Sequence, residues 1–248
     1  MTIESQNDLE ALKRVGRVVS RVLKDMLDAI EPGMTTGELD VLGAKFLESH
    51  GARSAPKITY NFPGATCISV NEEAAHGIPG PRRIAAGDVV NVDVSAELDG
   101  YFADSGGTRV VPPADAVALR LCHATRMALD SAVTEARDGA RINRIGKAVE
   151  RVAKQHRFHI IRNLAGHGVG RGLHEEPTDI VAYFNPNDRR VFREGMVVAI
   201  EPFLSTRTTV AEESADGWTL VGPQGTRSAQ FEHTVVITRG APIIVTRH

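Results

Sequence analysis

Four acidic residues of this chain sit in stretches otherwise built for burial, and that conflict is where its chemistry shows first. Asp93 interrupts the run V-V-N-V-D-V: in an extended strand Asn91 and Asp93 share one face while Val90, Val92 and Val94 share the other. Asp99-Gly100 reads as a two-residue hairpin loop. That loop sets Asp104 opposite Ser95 and makes Asp93 and Asp104 diagonal neighbours across the ladder. Two such carboxylates repel unless a cation lies between them. A solvent-facing hairpin edge explains this pair alone equally well. Glu201, ending V-V-A-I-E-P, and Glu232, inside S-A-Q-F-E-H-T-V-V-I-T, change the balance, because burial and β-propensity disfavour an acid at each position.

His167 lies in G-H-G-V-G-R-G-L-H-E-E-P, with His174 seven positions on. Glycines at alternate positions there (Gly166, Gly168, Gly170, Gly172) permit close backbone approach. Four carboxylates and one imidazole form an oxygen-rich donor set. It suits a pair of Mn²⁺, Fe²⁺, Co²⁺ or Zn²⁺ ions better than a cysteine-bound structural zinc. Rival chemistries lack their signatures. The glycine run misses G-x-G-x-x-G spacing, and Ala148 replaces the Ser or Thr a phosphate loop needs after Gly146-Lys147. There is no H-E-x-x-H, and neither Ser69 nor Ser228 sits in a nucleophile elbow. His76, taken alone, is a turn histidine more often than a catalytic one.

These residues need elements to hold them. Leu9, Leu12, Val15, Val18, Val22, Met26 and Ile30 mark one face of a helix that stops at Pro32-Gly33. Thr35 and Glu38 have capping-box spacing for a second helix ending at Gly51. Strands are expected at 66–70, then at 88–94 and 101–111 as hairpin arms. Helices return over 114–136 and from Ile142 to His156, followed by strands at 196–200 and 230–238. Helix, helix, strands therefore occurs twice. The pattern predicts a pseudo-duplicated α+β domain spanning residues 1–248 with no internal linker.

Bulk properties exclude other classes. A hydrophobic fraction of 42% with 24% charged residues is ordinary globular composition, and a net charge of −2 leaves no footprint for nucleic acid or an anionic membrane. The basic stretch Arg137 to Arg157 reads as a solvated helix face. No apolar run approaches membrane-spanning length, and the polar start of the chain carries no secretory signal. Cys67 and Cys122 make no disulfide framework, so a cytoplasmic setting is expected.

The motifs resemble, in order, those of the methionine aminopeptidases, type I, of the pita-bread metallopeptidase family M24. The matching stretches are N-E-E-A-A-H-G-I-P (71–79), N-V-D-V (91–94), D-G-Y-F-A-D-S (99–105), G-H-G-V-G-R-G-L-H-E-E-P (166–177), I-E-P (200–202), D-G-W-T (216–219) and S-A-Q-F-E-H-T (228–234). The resemblance implies helix-helix-strand halves around a curved antiparallel sheet. It also implies removal of the initiator methionine from nascent polypeptides or peptides when the second residue is small. Attack by a hydroxide bridging two divalent ions is the implied chemistry. Asp93, Asp104 and Glu232 would hold one ion, and Asp104, His167, Glu201 and Glu232 the other. Glu201 would double as general base, with His76 and His174 as catalytic histidines beside the substrate amide. The methionine pocket would take Cys67 and Trp218, which keep its usual chemistry. Thr59 and Phe62 stand there in place of tyrosines, and Leu173 in place of an aromatic. Ala75 replaces a frequent cysteine.

Only 31 positions separate Glu201 from Glu232, which leaves no room for the inserted subdomain of the larger class. The chain runs directly into its first helix, so no zinc-binding or ribosome-docking extension is expected, although its substrates are ribosome-proximal. A monomer is expected. Two rivals remain open. A proline-specific aminopeptidase of the same fold usually carries a further N-terminal domain, and a non-catalytic binding module would have lost ligands.

Overall fold

The periodic apolar residues near the start of the chain form a helix, α1 (Gln6–Ala29), opened by the Ser5 side chain accepting from Asp8 N. The computed structural model describes residues 1–247. α2 (Thr36–Ser49) begins with the reciprocal Thr35/Glu38 capping box expected from the sequence. A short third helix, α3 (Ala55–Tyr60), carries proline in its first turn and ends on Asn61 in the left-handed region. It has no apolar periodicity and escaped the sequence pattern. α4 (Ala116–Glu135) is capped by Asp115, and α5 (Asn143–His156) follows it. Gly33 and Gly139, at equivalent helix–helix junctions, both have positive φ, 93° and 75°. The basic residues along α5 are exposed, as a solvated face requires.

Strands Val89–Leu98 and Tyr101–Val110 pair antiparallel along their full length, with Ser95 opposite Asp104 and Asp93 opposite Gly106. Cys67–Val70 lies on the other side of the first arm, Cys67 opposite Asp93. Val90, Val92 and Val94 are fully buried in one core with Leu12, Val15, Val19, Val22 and Met26 of α1. The hairpin therefore spends its apolar face on α1. Its polar face, Asn91, Asp93 and Ser95, must look the other way.

The second half has its own core, where α4 and α5 pack on Val198, Ile200, Leu204, Phe231 and Val235. Here a five-stranded antiparallel sheet runs, in spatial order, through 243–244, 233–236, 197–200, 165–168 and 175–181. The run expected as one strand over 230–238 is divided. Ser228–Gln230 pairs with Phe203–Ser205, and His233–Val236 pairs with Val197–Ile200. Between these ladders Glu201-Pro202 faces Phe231-Glu232. Pro202 has no N–H to give a ladder, and Glu232 N donates to Gly106 O instead, at 2.9 Å. The strand Glu175–Val181 has only Pro177 and Ile180 buried. It shows no alternation that a sequence reading could find.

Candidate active site

The polar face of the hairpin and the break in the second sheet meet. Asp93 and Asp104 come from the hairpin. Glu201 and Glu232 leave the broken ladder, and His167 projects from Ala165–Gly168, paired with Ala199. Asp104, His167 and Glu232 each present a ligand atom within 4.8 Å of the other two. His167 Nε2 lies 3.4 Å from Glu201 Oε1 and 3.9 Å from Asp104 Oδ2. Its Nδ1 is 2.9 Å from the carbonyl of Gly168. A carbonyl only accepts, so Nδ1 carries the proton and Nε2 turns a lone pair toward the carboxylates.

That arrangement is repulsive without a cation. Asp104 Oδ1 and Glu232 Oε1 are buried and have no hydrogen-bond partner. Burial lifts Asp93 to about 6, even though a hydrogen bond with Asp104 pulls the other way. Asp104 is pushed well above the carboxylate range by burial and then by the charges of Glu232 and Asp93. Burial does the same to Glu201, helped by Asp93 and Asp104, and to Glu232, helped by Glu201 and Asp93. His167 is driven down to about 3, first by burial and then by His174. Four acids that resist ionising around a free imidazole lone pair are a donor set that divalent ions would satisfy. The residues fit such ions.

Two groups that the sequence reading did not single out hold this set. Gln230 Nε2 donates to Glu232 Oε2 at 3.0 Å, and Asn91 Nδ2 donates to Gln230 Oε1 at 2.9 Å. The chain Asn91–Gln230–Glu232 ties one half to the other. Gly106 makes room for it, since a Cβ there would lie 2.0 Å from Gln230 Oε1. Both residues were findable in principle: Asn91 shares the face of Asp93, and Gln230 stands two residues before Glu232.

Beside the acids opens a cavity of about 600 Å³. Asp93, Asp104, His167 and Glu201 line it, with His76 and His174. Glu232 lies behind this wall, 1% exposed. Tyr60, Phe62, Cys67, Leu173 and Trp218 supply the apolar side, Phe62 meeting Trp218 edge-on at 5.2 Å. Thr59 is not part of it. It is exposed on α3, and Tyr60, one full turn after the cavity-lining Pro56, takes the wall position instead. His76 sits in the left-handed region, with φ of 55°. Its ring is open to the cavity yet hemmed in by protein, and that desolvation lowers its pKa. His174 is lowered too, by desolvation and then by His76. Its ring lies 4.1 Å from that of His167. A larger groove of about 800 Å³ beside Asp115 and Arg227 gathers no comparable set.

The family model for metallopeptidase family M24 matches residues 10–239. The chain belongs to that family. Within M24 it is 44% identical to methionine aminopeptidase 2 of Bacillus subtilis (strain 168), over the whole of both chains. The crystal structure of a methionine aminopeptidase from Thermotoga maritima superposes with a TM-score of 0.95 at 34% identity, again over 100% of each chain. A prolidase from Pyrococcus furiosus has the same fold, with a TM-score of 0.79 at 22% identity, but this chain covers only 66% of it. The α+β pita-bread architecture expected from the sequence is thus the M24 fold. Use of divalent metal accords with that family and with the Asp104–His167–Glu232 cluster.

Proposed function

We propose that this M24 chain works as a methionyl aminopeptidase, with all described residues forming one catalytic domain. It is an enzyme, a metal-dependent aminopeptidase that removes N-terminal methionine and acts on peptide or protein N-termini. The observation that carries the reading is the meeting of a buried, unsatisfied acid–imidazole set with an apolar cavity walled by Tyr60, Phe62, Cys67, Leu173 and Trp218. An unbranched thioether side chain suits such a wall, through its length and its sulfur contacts with aromatic rings.

In this reading two ions, of Mn²⁺, Fe²⁺, Co²⁺ or Zn²⁺, are held by Asp93, Asp104, His167, Glu201 and Glu232. Divalent cations there would acidify a water, polarise the scissile carbonyl and take the substrate's free α-amine. Glu201 accepts the proton of the attacking water and passes it toward the leaving amine. His174 donates to the carbonyl oxygen as charge develops on it, and His76 lies against the scissile amide. Crowding by these histidines keeps the second side chain small. Nascent polypeptides near the ribosome are the proposed substrates, in the cytoplasm, for a monomeric enzyme; no described helix is long and apolar enough to cross a membrane.

Cleavage of Met-Ala-Ser against Ala-Pro-Ala, with metal titrated into chelated enzyme, tests the reading. Met-Ala-Ser should be cleaved and chelation should abolish its turnover. Preference for Ala-Pro-Ala would favour the proline-specific alternative. Failure to bind any divalent ion would make the chain a non-catalytic binding module.

A further inference from the structure

We infer that Tyr60 is a positioning residue for the reaction: its hydroxyl, 2.6 Å from His174 Nδ1, fixes His174 as the tautomer that carries its proton on Nε2. The inference rests on the reading of His174 as donor to the substrate carbonyl and adds how that donor is kept in the right form. A neutral imidazole has one N–H and one lone pair, and only the ring's partners decide which nitrogen has which. A phenol gives up its proton far more readily than a neutral imidazole gives up its N–H. The stronger pairing therefore has Tyr60 donating and Nδ1 accepting. His174 Nδ1 is the partner of the Tyr60 hydroxyl, and the two rings lie 5.4 Å apart, tilted by 47°. With Nδ1 occupied as acceptor, the proton belongs to Nε2, and His174 can donate. In the opposite tautomer Nε2 would present a lone pair to an oxygen gathering negative charge, which repels it.

His167 provides the contrast. There the ring's Nδ1 meets a backbone carbonyl, which demands a proton, and its Nε2 is left as a lone pair toward the carboxylates. Adjacent rings 4.1 Å apart are thus set as opposite tautomers, one to ligate and one to donate, by what each Nδ1 meets. Tyr60 is 44% exposed in the free enzyme. A peptide seated in the cavity covers it and removes the water that competes for the bond.

The test is Tyr60→Phe, which keeps the ring in the cavity wall and deletes only the hydroxyl. The enzyme is labelled with ¹⁵N-histidine and loaded with Zn²⁺, and His174→Ala identifies the His174 resonances. Wild type should show a protonated Nε2 and a bare Nδ1 at His174, and Tyr60→Phe should shift the ring toward a mixture of tautomers. For Met-Ala-Ser, kcat should fall about 5- to 10-fold, the size of one hydrogen bond's contribution, with KM and metal content little changed. A wild-type ring protonated on Nδ1, or an unchanged tautomer in Tyr60→Phe, overturns the proposal. So does a variant in which only KM changes, since Tyr60 would then be wall alone. Kinetics of His174→Ala separate the two readings. If that variant turns over normally, the role of His174 fails whatever its tautomer. If it loses about 100-fold while Tyr60→Phe loses nothing, His174 stands and Tyr60 falls.

Discussion

The two halves of the molecule deliver acids to one point by different means. In the first half Asp93 and Asp104 project from a hairpin whose ladder is unbroken over ten paired residues, backed by α1. In the second half Glu201 and Glu232 emerge where the ladder stops, between the pairs Ile200–His233 and Phe203–Gln230. A regular strand can aim a side chain only along its own face. A break frees the chain to aim one across. The regular half therefore supplies a fixed platform, and the irregular half closes over it, joined by the Asn91–Gln230–Glu232 hydrogen bonds.

The largest expected effect comes from the residue of the regular half that the irregular half crowds most. Asp104→Asn keeps the volume and removes the charge of a carboxylate that lies against both His167 and Glu232. If Asp104 is a direct ligand, as proposed, its loss should exceed the 10- to 100-fold typical of outer-shell changes, so activity should fall by more than about 100-fold and at least one ion should be lost. Metal analysis and kcat on the folded variant check this. Two ions bound with near-normal turnover would show that the hairpin is a scaffold only.

A smaller effect tests the link between the halves. Gln230→Met removes the donor to Glu232 Oε2 and the acceptor for Asn91 while roughly preserving length. Glu232 should then be free to swing, weakening metal affinity by roughly 10- to 100-fold. The hairpin register should not change, and stability should fall by only about 0.5–1.5 kcal/mol, since Asn91 Nδ2 keeps Gly107 O, Thr108 Oγ1 and the Gln230 carbonyl as acceptors. Unchanged affinity, measured by competition with a chelator, would mean that the broken ladder alone fixes Glu232.

How much of this was legible in the sequence follows the same division. The hairpin register, Ser95 opposite Asp104, follows from Asp99-Gly100 and period-two alternation, and the structure has it. Periodicity gave α1 and the Thr35/Glu38 capping box gave α2. The interruption at Pro202 and Phe231 was not legible, because a strand's end depends on the partner across from it, and here that partner lies 29 positions away. α3 was missed for want of a periodic face, and with it went the wall position. Thr59 was placed in the wall only as the family resemblance implies; the segment is helical, and a one-residue difference on a helix turns the side chain by about 100°. Tyr60 carries no spacing signal of its own, whereas Gln230, two residues before Glu232, could have been found from that position.

Proton competition should distinguish the metal-free from the metal-loaded site. Asp93, raised from its ordinary 3.8 to about 6, enters the metal-free fold protonated, so its contribution to stability declines as pH rises through that window. Asp104, Glu201 and Glu232 extend the decline to higher pH. His167, held down to about 3, acts oppositely, adding stability as pH rises toward its ordinary 6.5, and is neutral in both states above that. Metal binding expels the carboxyl protons. The gain in Tm on adding metal should therefore be larger at about pH 7.5 than at about pH 5.5. An equal or smaller gain at the higher pH would mean that the acids are already ionised without metal.

The smallest expected effect concerns the pocket, where the halves meet again: Tyr60 and Phe62 come from the first and Leu173 from the loop after His167. Leu173 is 3% exposed and lines the cavity, whereas Thr59 is exposed and does not. Leu173→Phe adds a ring to the wall and narrows it against branched side chains. A methylene of misfit in an apolar pocket is worth about 1–3 kcal/mol, so the ratio of kcat/KM for methionine over leucine should rise by about tenfold. Overpacking at so buried a position will cost stability, but both substrates meet the same folded enzyme, and the ratio is indifferent to how much of it there is. Thr59→Tyr should leave the ratio within about twofold of its starting value, as a surface change removed from the pocket does. If Thr59→Tyr sharpened the preference and Leu173→Phe did not, the pocket would be walled by the outer face of α3. Leu173 would then contribute no specificity, and the second half's share of the wall would rest on residues such as Trp218.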